Sequence, residues 1–207
     1  MSGIISQNVG RTSGLVKPVA AAGGAWTLIK TLTASADSDL SFVDGTDDVV
    51  LDSTYPIYVF KFINIHPETD TADFTAGFRD GGSAYDATKT TTTFYAYHNE
   101  ADGVTGLSYA SHDMAQGTGF CQIGGDAAGA DNDQCFSGYM HLFSPSDTTF
   151  VKHFMVNMSN LSEADYVVNE RTAGYCNVTA AIDAVQFKFD TGNIDAGKIK
   201  LYGIGDS

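Results

Sequence analysis

Three properties of this 207-residue sequence predict an all-β fold. Apolar residues recur at every second position in segment after segment, the segments are bounded by clusters of Gly, Asp, Asn, Ser and Pro, and no 3.6-residue period persists for three turns. Period two is the pattern of a half-buried strand, because successive side chains point to opposite faces of a sheet. About ten such segments in one chain predict an antiparallel β-sandwich, jelly-roll-like, over residues 26–207, preceded by an extended arm over 1–25. A body of this length can bury a sizeable core as a single unit.

The arm, MSGIISQNVGRTSGLVKPVAAAGGA, is rich in Gly, Ser and Ala and has no aromatic residue and no carboxylate. It has no periodicity with which to build a core of its own. Its isolated apolar residues Ile4, Ile5, Val9, Leu15 and Val16, with Arg11 and Lys17 as its only charges, make it a basic strip beside an acidic body. Flexible backbone, spaced apolar pegs and complementary charge suit a docking arm, so these seven residues are the candidate particle contacts. The competing reading is a polar tail with chance apolar residues.

The strands follow in order. WTLIKTLT places Trp26, Leu28 and Thr31 on one face; IYVFKFINI (57–65) reads as a central strand; DFTAGFRD sets Phe74, Ala76 and Phe78 together. TTTFYAYH (91–98), CFSGYMHLF (135–143), TTFVKHFMV (148–156) and DYVVNERTAGYCN (165–177) continue the series. Residues 179–183 allow one turn of helix at most. The stretch 180–204 reads as a C-terminal hairpin: Val185, Phe187 and Phe189 alternate with Gln186, Lys188 and Asp190, Thr191-Gly192-Asn193 turns the chain, and Ile199, Leu201 and Tyr202 begin the last strand.

Composition narrows the function. With 25 acidic and 11 basic residues the formal charge is -14, and no basic run exists to hold a phosphate backbone, so no direct nucleic-acid binding is expected. No apolar stretch is long enough to span a bilayer, and the N-terminus lacks the pattern of a secretory signal, so folding in a cytoplasm without a membrane partner is expected. Cys121, Cys135 and Cys176 are odd in number and lack zinc or redox spacing. Three free thiols are the favoured reading; a bridge between Cys121 and Cys135, facing each other across a strand pair, is the alternative.

Catalytic and metal motifs are weak. Loop aspartates (Asp37, Asp39, Asp44, Asp47, Asp48, Asp70, Asp73, Asp126, Asp131, Asp133) lack calcium-loop spacing and read as turn formers. His66, His98, His112, His141 and His153 are scattered, with no HxH or HExxH pattern; His141 and His153 fall in adjacent expected strands. The groupings His98-Asn99-Glu100 and His112-Asp113 supply acids and bases, yet no nucleophile elbow accompanies them. A non-enzyme without metal or cofactor is expected. Tyr85, Tyr95, Tyr97 and Tyr109 read as interior or subunit packing ahead of a sugar-stacking surface.

Several segments together resemble a family of virion structural proteins of marine and cyanobacterial tailed phages. They are SGIISQNVGRTSGLVK, WTLIKTLTAS, YVFKFINIHPETD, AYDATKTTTTFYAYHNEAD, HLFSPSDTTFVKHF and AGYCNVTAAIDAVQFKFDTGNIDAGKIKLYGI, which span nearly the whole chain. The resemblance implies a particle component and no catalytic residue. Its first implication is a capsid decoration, or cement, protein that binds the major capsid protein on the virion surface as a homo-oligomer, a trimer by analogy. Its second is a tail fibre or tail appendage that presents loops such as 81–89 or 124–134 to a host-surface glycan. Neither long repeats nor a coiled-coil shaft is present, which favours the first.

Overall fold

The computed structural model of the protein describes residues 26–125 and 128–206. Among them are twelve strands and no helix: β1 (Thr27–Asp37), β2 (Leu40–Val43), β3 (Ile57–Pro67), β4 (Phe74–Arg79), β5 (Lys89–Asn99), β6 (Thr105–Tyr109), β7 (Cys121–Gln122), β8 (Phe136–Phe143), β9 (Lys152–Leu161), β10 (Tyr166–Cys176), β11 (Ala184–Phe189) and β12 (Ile194–Ile204). All pairings between them are antiparallel. They form an eight-stranded sheet, β1-β12-β3-β8-β9-β10-β5-β6, and a four-stranded sheet, β2-β11-β4-β7.

With β5, β6, β9 and β10 set aside, eight strands remain. Their order is first-eighth-third-sixth in the large sheet and second-seventh-fourth-fifth in the small one, which is the jelly-roll order. The other four are two hairpins that lengthen one sheet. β9 pairs with β8, β10 with β9, β5 with β10 and β6 with β5, so the large sheet extends four strands beyond the jelly roll.

The C-terminal stretch is corrected by this topology. Val185, Phe187 and Phe189 are buried, as their alternation requires, and so are Ile199 and Leu201. The two strands do not form a hairpin, however. β11 lies between β2 and β4 in the small sheet, whereas β12 lies between β1 and β3 in the large one, and residues 190–193 arch from one sheet to the other with Gly192 at a φ of +69°. A turn this short can either reverse a strand within its sheet or carry the chain the ~10 Å to the facing sheet, and period-two alternation looks the same in both cases.

Aromatic side chains fill the space between the sheets. Phe187 of β11 packs against Phe60 and Phe62 of β3 at centroid distances of 5.2 and 5.1 Å, against Phe42 of β2 at 6.3 Å and against Phe74 of β4 at 6.1 Å. Phe74, Ala76 and Phe78 are all fully buried, as expected for one face of β4. Trp26, Leu28 and Thr31 do lie toward one face of β1, but it is the outer one. A bulge between Leu28 and Lys30 leaves Trp26 and Leu28 43% and 51% exposed, while Ile29, Leu32 and Ala34 meet the core. Residues 179–183 hold a bend at 179–180 and no helical turn.

Candidate interaction surface

The two outer faces of the sandwich differ in chemistry. On the small sheet the outer face is a polar network, in which Gln186 donates to Asp39 at 2.9 Å and to Ser41 at 2.8 Å, and Arg79 donates to Asp183 at 2.7 Å. Lys188 rests 4.4 Å over the Phe120 ring, and that ring in turn covers the backbone of Gly77.

The large sheet is different. Of the 25 acidic residues in the chain, its eight strands carry Asp37 at the end of β1, Asp195 near the start of β12, and Glu170, which is fully buried on the inner side of β10. The register brings Tyr139 and His141 of β8, Met155 of β9, Val167 and Arg171 of β10, Phe94 of β5, and Leu107 and Tyr109 of β6 onto one outer surface. Exposure reaches 55% at Met155, 74% at Leu107 and 63% at Tyr109. Two hollows of about 450 and 350 Å³ share Phe143 and Met155 as the ridge between them; Gly174, Ala173 and Tyr175 line the first, and Tyr139, His141 and Arg171 the second. Gly174 has no room for a side chain, since a Cβ there would stand 2.5 Å from the Phe154 ring. Exposed aromatic, Met and Arg side chains on a carboxylate-depleted surface are the composition of an interface core.

Apart from Arg171 and the buried Lys89 and Lys152, the lysines and arginines of this sheet lie on its other half, in β1, β3 and β12. Lys61 of β3 lies 4.6 Å from the ring centroid of Trp26 and 5.8 Å from that of Tyr202, a cation held by two aromatic faces. The chain enters the described region beside this cluster. The seven candidate arm contacts, Ile4, Ile5, Val9, Arg11, Leu15, Val16 and Lys17, lie outside the described residues.

Behind the extension, on its inner side, sits a set of buried polar groups of which the sequence singled out His112 alone. Lys89 and Lys152 are fully buried and donate to the carbonyls of Gly119 at 2.6 Å and Val178 at 3.0 Å. Burial holds both ammonium groups below their usual pKa, against the opposing pull of nearby acids and thiols. Thr93 and Thr172 share a hydroxyl hydrogen bond of 3.0 Å, and Glu170 faces His112 at 3.5 Å. Burial opposes a charge on His112, yet the Glu170 carboxylate, aided by Asp73 and Asp113, raises its pKa above the usual histidine value. The segment 110–119, which brings His112, is tied to the free half of β5 through Ala110 to Thr93, Thr91 to Met114 and a reciprocal pair between Lys89 and Gly117. These groups had a signal in the sequence: Lys152 shares the phase of Phe154, Val156 and Met158, and Glu170 that of Val168 and Thr172, all of them buried.

The remaining candidates have structural partners. His98 bonds to Asp102 at 3.0 Å, and Asn99 accepts from the amides of Gly103 and Val104, which builds the β5–β6 turn. Asp113 accepts from the Tyr109 hydroxyl at 2.8 Å. His141 stacks between Tyr139 and Phe143 and His153 on Tyr175; the pairing of His141 with Met155 sets the two histidines on a diagonal of the outer face. Tyr95, Tyr97 and Tyr166 pack on one another at the far end of the inner face, and Tyr85 packs on Phe120. Asp147 accepts the amides of Thr149 and Phe150 in its own turn and Asp44 accepts that of Leu51 across a short loop, whereas Asp70 accepts the amide of Ala130 and so ties two loops distant in sequence. Among the described residues no group of three or more His, Cys, Asp or Glu side chains is placed to hold a metal ion.

The cysteines are free thiols. Cys121 lies on β7 of the small sheet and Cys135 just before β8 of the large one, so the two do not face each other across a strand pair. Burial pushes the Cys121 thiol up to about 11 and the Cys176 thiol up to about 12, which keeps both protonated and inert.

No family model matches this chain, and no curated protein or solved structure is significantly similar to it.

Proposed function

We propose that this protein is a structural component of a tailed-phage virion, most concretely a capsid decoration protein that binds the major capsid protein and stabilises the shell. The reading starts from the resemblance of the six segments above. The observation that carries it furthest is the division of labour in the chain. A rigid jelly-roll body carries a broad, carboxylate-poor outer face on its large sheet, and a basic, apolar-pegged arm precedes it in the sequence. Such a protein acts by binding alone. Many copies, each burying a modest area through arm and body, raise shell stability by mass action and multivalency. In this reading the copies associate as a homo-oligomer, a trimer by analogy, and need no cofactor or catalytic residue.

The test is incorporation. Deleting residues 1–25 is expected to leave a folded body that no longer binds particles, and undiminished incorporation would refute the anchoring role. Copy number separates the two placements: hundreds per virion mean the shell, a few dozen or fewer mean the tail. A tail appendage that binds a glycan has one observation in its favour, a cleft of about 640 Å³ lined by Ser53, Thr54, Tyr55, Ser146, Asp147 and Thr148, whose hydroxyls and aromatic ring suit a sugar.

A further inference from the structure

We infer that a second copy of this chain covers the outer face of the β8-β9-β10-β5-β6 half of the large sheet, and that the protein self-associates through it before any particle is involved. The inference does not rest on the virion assignment.

Size is the first argument. Five strands 4.8 Å apart and roughly nine residues long present about 700–800 Å² of face, the area that one partner contributes to a standard specific interface. Its exposed side chains Phe94, Leu107 and Met155 are interspersed with Asn157 and Asn169, the mixed apolar and polar composition of a specific interface.

Charge selects the occupant. The formal charge is -14, so two copies repel each other over most of their surface. These five strands hold one carboxylate, the buried Glu170, and one outward cation in their middle, Arg171. Apposition here therefore keeps the acidic surfaces outward and apart. The arm is a poorer occupant: Arg11 and Lys17 are its only charges, and the carboxylates at the rim of this face, Asp102 and Asp113, are already engaged by His98 and the Tyr109 hydroxyl.

Shape is the third argument. A contact between like copies needs a surface that supplies both projections and recesses. Phe94 and Leu107 project at 48% and 74% exposure, while the hollow over Gly174 and its neighbour beyond Met155 are recessed. The same face carries both halves of the fit.

The experiment is sedimentation velocity on the full chain from 1 to 100 μM, beside Met155→Glu, Leu107→Glu and a control, Phe150→Glu, whose residue is 71% exposed on the β8–β9 loop outside the five strands. All three positions are exposed in the single copy, and matching circular dichroism and thermal melting at low concentration confirm that each variant folds. The expected result is a wild-type mass that is a whole multiple of the chain mass. Each face variant is expected to weaken association by at least 100-fold, with Phe150→Glu unchanged. A wild-type monomer at 100 μM overturns the inference, as does an oligomer that survives both face variants. So does a monomer in which cross-links join residues 1–25 to β5 or β9, which would give the face to the arm. Particle binding by a strict monomer would overturn this inference and leave the decoration reading intact.

Discussion

Replacing Phe187 by alanine removes the side chain on which both sheets converge. The ring is fully buried and meets four others, two of them in the facing sheet at 5.1 and 5.2 Å and two in its own sheet at 6.1 and 6.3 Å. A buried Phe→Ala change costs about 3–5 kcal/mol through lost transfer energy and the residual cavity. Because the surrounding strands are held by hydrogen bonds on both sides, the cavity cannot collapse, and each edge-on ring pair is worth a further ~0.5–1.5 kcal/mol that is not additive. The expected loss is therefore near the top of that range, about 4–5 kcal/mol, against a total stability of about 5–15 kcal/mol. With a urea slope of about 2 kcal/mol/M the unfolding midpoint falls by ~2 M. The assay is urea denaturation followed by tryptophan fluorescence and far-UV dichroism at one fixed protein concentration, since association would shift the curve. Phe150→Ala, at a ring 71% exposed, serves as the control and is expected to move stability by less than about 0.5 kcal/mol. A loss below about 2 kcal/mol at Phe187, or equal losses at the two sites, would refute the account of the core.

Gly138→Ala is expected to cost about 1–3 kcal/mol by urea denaturation, because a Cβ there would strike the Asn157 carbonyl and the Met158 Cα, both backbone atoms that cannot turn aside. The His112–Glu170 pair predicts a pH dependence with a definite sign. The folded-state pKa of His112 is raised, so its stabilisation is full below the unfolded value of 6.5 and is lost as pH rises through the folded one. The stability difference between wild type and His112→Gln should accordingly be larger at pH 5.5 than at pH 8.5, and a difference independent of pH would contradict the pairing. Native thiol labelling at pH 8 should modify Cys135 first and spare Cys121 and Cys176, with all three reacting after denaturation; a mass 2 Da lower without reductant would instead reveal a disulfide.

Much of the fold was legible because strand alternation is a local property. IYVFKFINI, CFSGYMHLF and DYVVNERTAGYCN announce β3, β8 and β10 within a few residues of their true bounds. β2, β6 and β7 were not, being only four, five and two residues long and held by register with distant partners such as β11, β5 and β4. Alternation also cannot assign a strand to a sheet, which is how an arch came to look like a hairpin. The interaction face was hidden for a related reason. Phe94, Met155 and Leu107 lie in three separate segments, and only pairing through β10 and β5 makes them neighbours. The buried lysines and Glu170 were readable from their phase but contradict the ordinary preference of charged residues for water.

The position of β12 also sets a schedule for the nascent chain. Among the described residues β1 has one partner in the large sheet, and it is β12: Thr27 waits for Gly203 and Asp37 for Ile194. On its β1 side β3 likewise waits for β12. Until residues 194–204 leave the ribosome, the large sheet has a slot one strand wide, flanked by two unsatisfied edges and the apolar inner faces beside them. Open edges of this kind recruit strands from other molecules. The closing step joins residues far apart in sequence, the class of contact that forms slowly. Chaperone dependence and aggregation of prematurely terminated chains should therefore centre on the last strand, and a synthetic peptide of 194–204 supplied in trans is the natural complement for a body that lacks it.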